Sequence, residues 1–149
     1  MTTVSRSAIV PYSAAAMFEL VDDVNAYQQF LPWVKRSTEH FRDDDQVKAT
    51  LIFSKGGFEK SFTTLNRRYH GEMIDIRLVE GPFRHLEGIW RFEPSEGGGS
   101  KVSLDLEFEF ASRLLSMAFG RVFTQVATTL VDSFVRRADS VYEKPGVSR

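Results

Sequence analysis

The sequence predicts an α+β fold: a curved seven-stranded antiparallel sheet closed around one long C-terminal helix, with two short helices after the first strand. Three patterns carry that prediction. Apolar and polar residues alternate almost without interruption from residue 34 to residue 110, as strands with one dry face require. Turn-forming segments (Asp43-Asp44-Asp45, Gly56-Gly57, His70-Gly71 and Glu96-Gly97-Gly98-Gly99-Ser100) cut that stretch at hairpin spacing. From Ala111 to Glu143 the apolar residues recur at steps of three and four with no proline between them, which is helical period.

Taken in order, residues 3–10 place Val4, Arg6, Ala8 and Val10 on one side and Ser5, Ser7 and Ile9 on the other, and read as a first strand. Pro11 stops it. Ser13 stands where it can cap a helix over 14–24, whose Met17, Leu20, Val21 and Val24 make one apolar stripe. Asn25 is expected to cap a second short helix over 26–31, closed by Pro32. Strands then follow at 34–42, 46–54, 58–69, 72–80, 85–94 and 101–110, with Gly81-Pro82-Phe83 as a longer interruption. In the last of them Val102, Leu104, Leu106, Phe108 and Phe110 oppose Lys101, Ser103, Asp105, Glu107 and Glu109, so one face is buried and the other wet. A helix over 111–143 would be about 50 Å long and must cross the whole sheet. Gly120 inside it costs about 1 kcal/mol relative to alanine, which a bend or a close approach would explain. The tail 144–149 is expected to fray. No repeat, linker or low-complexity tract interrupts residues 1–149, so a single domain is expected.

Composition narrows the function classes. Without cysteine there are no disulfides, thiolate nucleophiles or cysteine metal sites. The first residues lack the basic start and apolar run of a secretory signal, and no apolar stretch is read as a membrane span, so a cytoplasmic protein is expected. A net charge of -1 gives no global attraction to DNA or anionic membranes. Phenylalanine stands out: thirteen, against four tyrosines and two tryptophans. Hydrocarbon rings in that number need an apolar neighbourhood.

A strongly twisted sheet of this size cannot lie flat under one helix, so it must curl around it. The enclosed space would be lined by Phe53, Phe62, Ile76, Trp90, Leu106, Phe108, Phe119, Phe123 and Leu130. Either these rings meet and fill the space, or they line a tunnel of the kind that binds small apolar molecules. Phe30, Leu31 and Trp33, flanking Pro32, form either an entrance or a hydrophobic plug. Phe83 is read as a second rim element. An exposed aromatic rim could touch a membrane surface transiently while a lipid enters or leaves.

Several segments together resemble the coenzyme Q-binding START-domain family, whose helix-grip fold is shared with polyketide cyclases and the birch-pollen allergen type. They include Val10-Pro11-Tyr12-Ser13-Ala14, Phe30-Leu31-Pro32, Phe62-Thr63-Thr64-Leu65-Asn66, Leu78-Val79-Glu80-Gly81-Pro82-Phe83, Phe108-Glu109-Phe110 and Phe119-Gly120-Arg121-Val122-Phe123. Within that family the chain is most similar to the bacterial ribosome association toxin (RatA) subgroup. One position departs: Gln28 follows Tyr27 where the family often carries proline. The resemblance implies an apolar cavity suited to ubiquinone or another prenylated quinone, in support of respiratory quinone function. For the subgroup it implies contact with the large ribosomal subunit that blocks subunit association. A cyclase-type enzyme ranks last, because no inward acid or base can be named.

The remaining chemistry-bearing residues point away from catalysis. His40, His70 and His85 show no hairpin or helical spacing to another ligand type, so no metal site is expected. No serine sits in a Gly-x-Ser-x-Gly elbow. Glu107 and Glu109 fall on the wet face. Gly97-Gly98-Gly99 lacks the strand-to-helix setting of a phosphate loop. The pairs Lys35-Arg36, Arg67-Arg68 and Arg136-Arg137 read as solvated surface, and the two arginine pairs are the candidates for ribosome contact.

Overall fold

The computed structural model describes residues 1–142; the tail 144–149 lies outside the described residues. Its strands are β1 (Thr2–Val10), β2 (Val34–Arg42), β3 (Gln46–Lys55), β4 (Phe58–Tyr69), β5 (Met73–Glu80), β6 (Phe83–Pro94) and β7 (Ser100–Phe110). They form one antiparallel sheet in the order β1-β7-β6-β5-β4-β3-β2. Six strands are thus a meander, and β1 joins its far edge beside β7. Helices α1 (Ala14–Asp22) and α2 (Tyr27–Phe30), linked by a 3-10 turn at Val24–Ala26, follow β1, and α3 (Arg113–Val141) follows β7.

The alternation that predicted the strands is the burial pattern observed. In β7, Val102, Leu104, Leu106, Phe108 and Phe110 are all buried, while Lys101, Asp105 and Glu107 are exposed. At 29 residues α3 spans roughly 44 Å. Ser112 caps it by accepting a hydrogen bond from the Leu115 N–H at 3.1 Å. By length and composition α3 could cross a bilayer, which the sequence reading did not anticipate. Its stripe of Phe119, Phe123, Val126, Ala127, Val131, Phe134 and Ala138 is buried in the same core as the inward strand residues. At its far end the Tyr12 hydroxyl donates to Asp139 Oδ1 at 2.5 Å and the Tyr142 hydroxyl to the Ala16 carbonyl at 2.9 Å. Burial, reinforced by the Asp139 carboxylate, pushes the Tyr12 phenol up to about 12.

The structure corrects several local expectations. Ser13 does cap α1, through the Ala16 N–H, but the helix ends at Asp22. Asn25 caps nothing: its Oδ1 accepts from the Glu39 N–H and its carbonyl accepts from Gln28 Nε2 and Ser37 Oγ. Gln28, the residue in place of a proline, also donates to the Ser37 carbonyl at 3.3 Å and so stitches α2 to β2. The interruption near Pro82 is only a tight turn, with Phe83 already in β6. A Cβ on Gly81 would stand 2.6 Å from Phe62 Cβ, which leaves room for glycine alone. At Gly120 a Cβ would lie 3.5 Å from the Phe110 ring, an ordinary van der Waals contact, so no close approach explains the glycine.

Parity along β6 changes through a bulge. Leu86, Gly88, Trp90 and Phe92 face inward, and a register shift between Phe83 and His85 turns Phe83 inward as well. Without that extra residue the Phe83 ring would point to solvent.

Candidate functional site

Between α3 and strands β3 to β7 lies a cavity of about 100 Å³. Seven of the thirteen residues expected at the site stand on its wall: Trp33, Phe62, Ile76, Trp90, Leu106, Phe123 and Leu130. The other six do not. Phe53, Phe83, Phe108 and Phe119 meet one another and Phe110 and Phe123 beside it, with ring centroids 4.9 Å apart for Phe53–Phe119 and Phe108–Phe123 and 5.0 Å for Phe83–Phe123. These are ordinary edge-to-face and offset distances. Both alternatives left open by the sequence are therefore realised: the rings fill one end of the space and leave a void at the other. Phe123 belongs to both ends. Leu31 is 1% exposed and plugs the core, and Phe30 packs edge-on against Phe134 outside the void.

Of the expected aromatic rim only Phe30 is half-buried. Leu31, Trp33 and Phe83 are all buried. Leu114 and Met117, in the first turns of α3, face outward at 76% and 77% exposure.

Sequence reasoning missed several wall residues. Tyr27, Thr64, Asn66 and Phe134 all line the cavity. Phe134 had a legible signal, since it lies four residues beyond Leu130 on the same helical stripe. Asn66 had one too: it follows Phe62 and Thr64 at period two on β4, so it must face inward. The Thr64 hydroxyl donates to Asn66 Oδ1 at 2.9 Å, giving the apolar wall one polar patch. Tyr27 offers no acid. Its hydroxyl donates to the Val21 carbonyl, and burial, with Asp22 and Asp23 nearby, raises its pKa far above the ordinary phenol value.

A second space abuts the first. A groove of about 400 Å³ runs between Phe30, Pro32 and Trp33 on one side and the C-terminal half of α3 on the other. Trp33 and Val126 belong to both spaces and form the partition between them.

Beside the cavity, Asp22 at the end of α1 is held by two arginines. Arg68 reaches it in a fork, Nε to Oδ1 at 2.7 Å and NH2 to Oδ2 at 2.8 Å, and Arg42 NH1 reaches Oδ2 at 2.7 Å. The Arg68 side chain is only 9% exposed. This overturns the reading of Arg67-Arg68 as a surface pair: consecutive strand residues point to opposite faces, so Arg67 is solvated and Arg68 is internal.

The expectation that no histidine has a ligand neighbour also fails. His85 and Glu87 share the outer face of β6, Glu107 stands opposite Glu87 on β7, and their ligand atoms lie within 4.8 Å of one another. His85 Nε2 makes no hydrogen bond with any described residue. Glu87 already accepts a 3.0 Å hydrogen bond from Arg77, which supplies a positive charge to the cluster.

Comparison with known proteins agrees with this architecture. Residues 10–135 match the family described as polyketide cyclase / dehydrase and lipid transport. The ribosome association toxin RatA of Vibrio cholerae is 43% identical over 142 residues, covering 95% of this chain and 99% of that protein. The mitochondrial coenzyme Q-binding protein coq10 of Schizosaccharomyces pombe is 27% identical over 137 residues, covering 89% and 84% respectively. Among solved structures, the ZhuI aromatase/cyclase of Streptomyces sp. R1128 superposes with a TM-score of 0.82 at 16% identity, covering 98% of this chain and 99% of that one, so it shares the fold.

Proposed function

Because the chain belongs to the polyketide cyclase / dehydrase and lipid transport family, in its RatA-like branch, we propose that it is a single-domain, cytoplasmic, non-enzymatic binding protein for an apolar small molecule, most fittingly a prenylated quinone such as ubiquinone. The observation that carries this reading is the void under α3, walled almost wholly by apolar side chains and sharing Trp33 and Val126 with an outer groove. Each buried methylene contributes about 0.8 kcal/mol, so a prenyl chain gains affinity without specific polar contacts. At about 100 Å³ the void is smaller than the ~150 Å³ cavity that holds benzene in an engineered protein. It therefore takes the end of a chain, while the rest and the quinone head occupy the groove. A non-catalytic role is supported by the wall chemistry: Tyr27 is committed to Val21, and Thr64 and Asn66 to each other.

Native mass spectrometry of freshly purified protein tests this. The parent should carry a prenylated quinone, and Leu130→Trp, which fills the void, should weaken binding of a short-chain quinone by more than about tenfold while costing no more than the ~1–3 kcal/mol of overpacking. A parent that neither carries a lipid nor binds the quinone would overturn the reading.

A second reading is favoured by the 43% identity, over nearly full length, to a protein named for ribosome association. In it the chain binds the large ribosomal subunit through outward cations such as Arg36 and Arg67, both exposed. Contact with a phosphate-rich surface weakens steeply with salt, whereas cavity binding does not. Co-sedimentation with large subunits should thus fall across a salt series and fall further for Arg36→Glu and Arg67→Glu, with quinone retention intact. Failure of the parent to sediment at low salt would sink it.

A further inference from the structure

The groove outside the partition is chemically one-sided. Its walls carry Lys55, Arg136 and Arg137, together with the hydroxyl and amide groups of Gln125, Thr129, Ser133 and Ser140, and no carboxylate among the described residues. In a chain with 20 acidic and 19 basic residues, three cations facing one concavity with no acid among the described residues call for a negative occupant. Arg137 is held in place: its guanidinium carbon lies 4.8 Å over the Phe30 ring, and NH2 donates to Gln29 Oε1 at 3.2 Å. Lys55 and Arg136 make no hydrogen bond or ion pair with any described residue.

We propose that this groove is the head-group subsite of the cavity, and that the protein takes single-chain amphiphiles with an anionic head, a carboxylate or a phosphate, in preference to neutral ones. The proposal rests on the apolar-ligand reading above and places an anionic amphiphile ahead of the neutral quinone named there. The geometry orders the two parts. The tail lies along Trp33 and Val126, which line both spaces, with its end toward the void, and the head stays among Lys55, Arg136 and the fixed Arg137. A neutral quinone head gains only the hydrogen bonds of that corner, whereas an anion also gains the charge.

The test compares three ligands of one chain length, dodecanoate, dodecyl phosphate and dodecanol, by calorimetric titration of the full chain. The parent should bind both anions about tenfold more tightly than the alcohol, the sum expected of two or three solvent-exposed charge contacts. That preference should shrink at high salt. In the Lys55→Gln/Arg136→Gln variant the anion-to-alcohol ratio should fall to about twofold, a change that mere loss of folding would not produce because the alcohol is measured on the same sample. The two anions separate the head chemistries: a preference confined to dodecyl phosphate assigns phosphate, and one shared with dodecanoate assigns any anion. Equal affinity of the parent for all three overturns the charge preference and leaves apolar binding standing. No binding of any of them overturns both.

Discussion

Phe123→Asp should remove most of the protein's folding stability and abolish binding of apolar ligands. Six aromatic rings surround this side chain, those of Phe53, Phe62, Phe83, Phe108, Phe110 and Phe119, at centroid distances from 4.9 to 6.3 Å. Deleting a buried phenylalanine costs about 3–5 kcal/mol in lost burial and cavity formation. A carboxylate placed among hydrocarbon rings adds a desolvation cost of several kcal/mol, unless it takes up a proton. Against a typical total of about 5–15 kcal/mol, the sum leaves little. The sign of the pH dependence follows. Burial raises the new carboxyl's pKa in the folded state above its unfolded value, so the folded variant holds its proton more tightly and is least impaired in acid. Its deficit relative to the parent should widen as pH rises through the carboxyl range. Urea denaturation followed by circular dichroism at pH 4 and pH 7 measures both effects. Phe123→Leu keeps an apolar side chain and should stay folded, allowing ligand binding to be read without collapse. If Phe123→Asp melts within a few degrees of the parent, the ring does not occupy the position described.

Asp22→Ala should be the most damaging change among the polar residues. The carboxylate receives three charged hydrogen bonds, two of them from the internal Arg68. Breaking a buried pair by removing one partner costs about 3–5 kcal/mol, because the remaining charge is stranded, and this lowers Tm by roughly 10–15 °C in a chain of this size. Arg42 is the internal comparison. Its side chain is a third exposed, so Arg42→Met should cost no more than about 1 kcal/mol. The double variant Asp22→Leu/Arg68→Met should regain much of what Asp22→Ala loses, since no charge is then buried. Thermal unfolding of the four proteins decides it; equal losses for Asp22→Ala and Arg42→Met would show that Arg68 does not depend on its partner.

Much of this architecture is local information. Alternation and turn residues located the strands to within a residue or two, because the side-chain period of a strand is a property of the strand itself. Ser13 and Ser112 are equally legible as caps of the kind a helix start demands. What could not be read from the chain depends on how elements meet. Asn25 has the chemistry of a cap and spends it on β2 instead. Arg68 sits in a pair that looks solvated until strand parity and Asp22, forty-six positions away, are considered together. Phe83 faces inward only because of a bulge. Phe53 and Phe62 both point inward from paired strands, yet only Phe62 borders the void, since the path of α3 decides which rings it covers. The inward phenylalanines mark the space under α3 in the sequence, whereas its division into a filled end and an empty end is a matter of tertiary geometry.

The place of β1 bears on how the molecule is made. Its partners are the last residues of the sheet to be synthesised: Val10 faces Ser100 and Thr2 faces Phe108. At a translation rate of about 5–20 residues per second, the N-terminal strand waits roughly 5–20 s for the edge on which it docks. During that interval the meander from β2 onward can pair neighbour with neighbour, whereas β1 must close a loop that spans most of the chain. Such non-local closure is slow, and until it occurs β7 presents an open, alternately apolar edge. Assembly therefore ends where the chain began, and a nascent chain released short of β7 has no seat for its first strand.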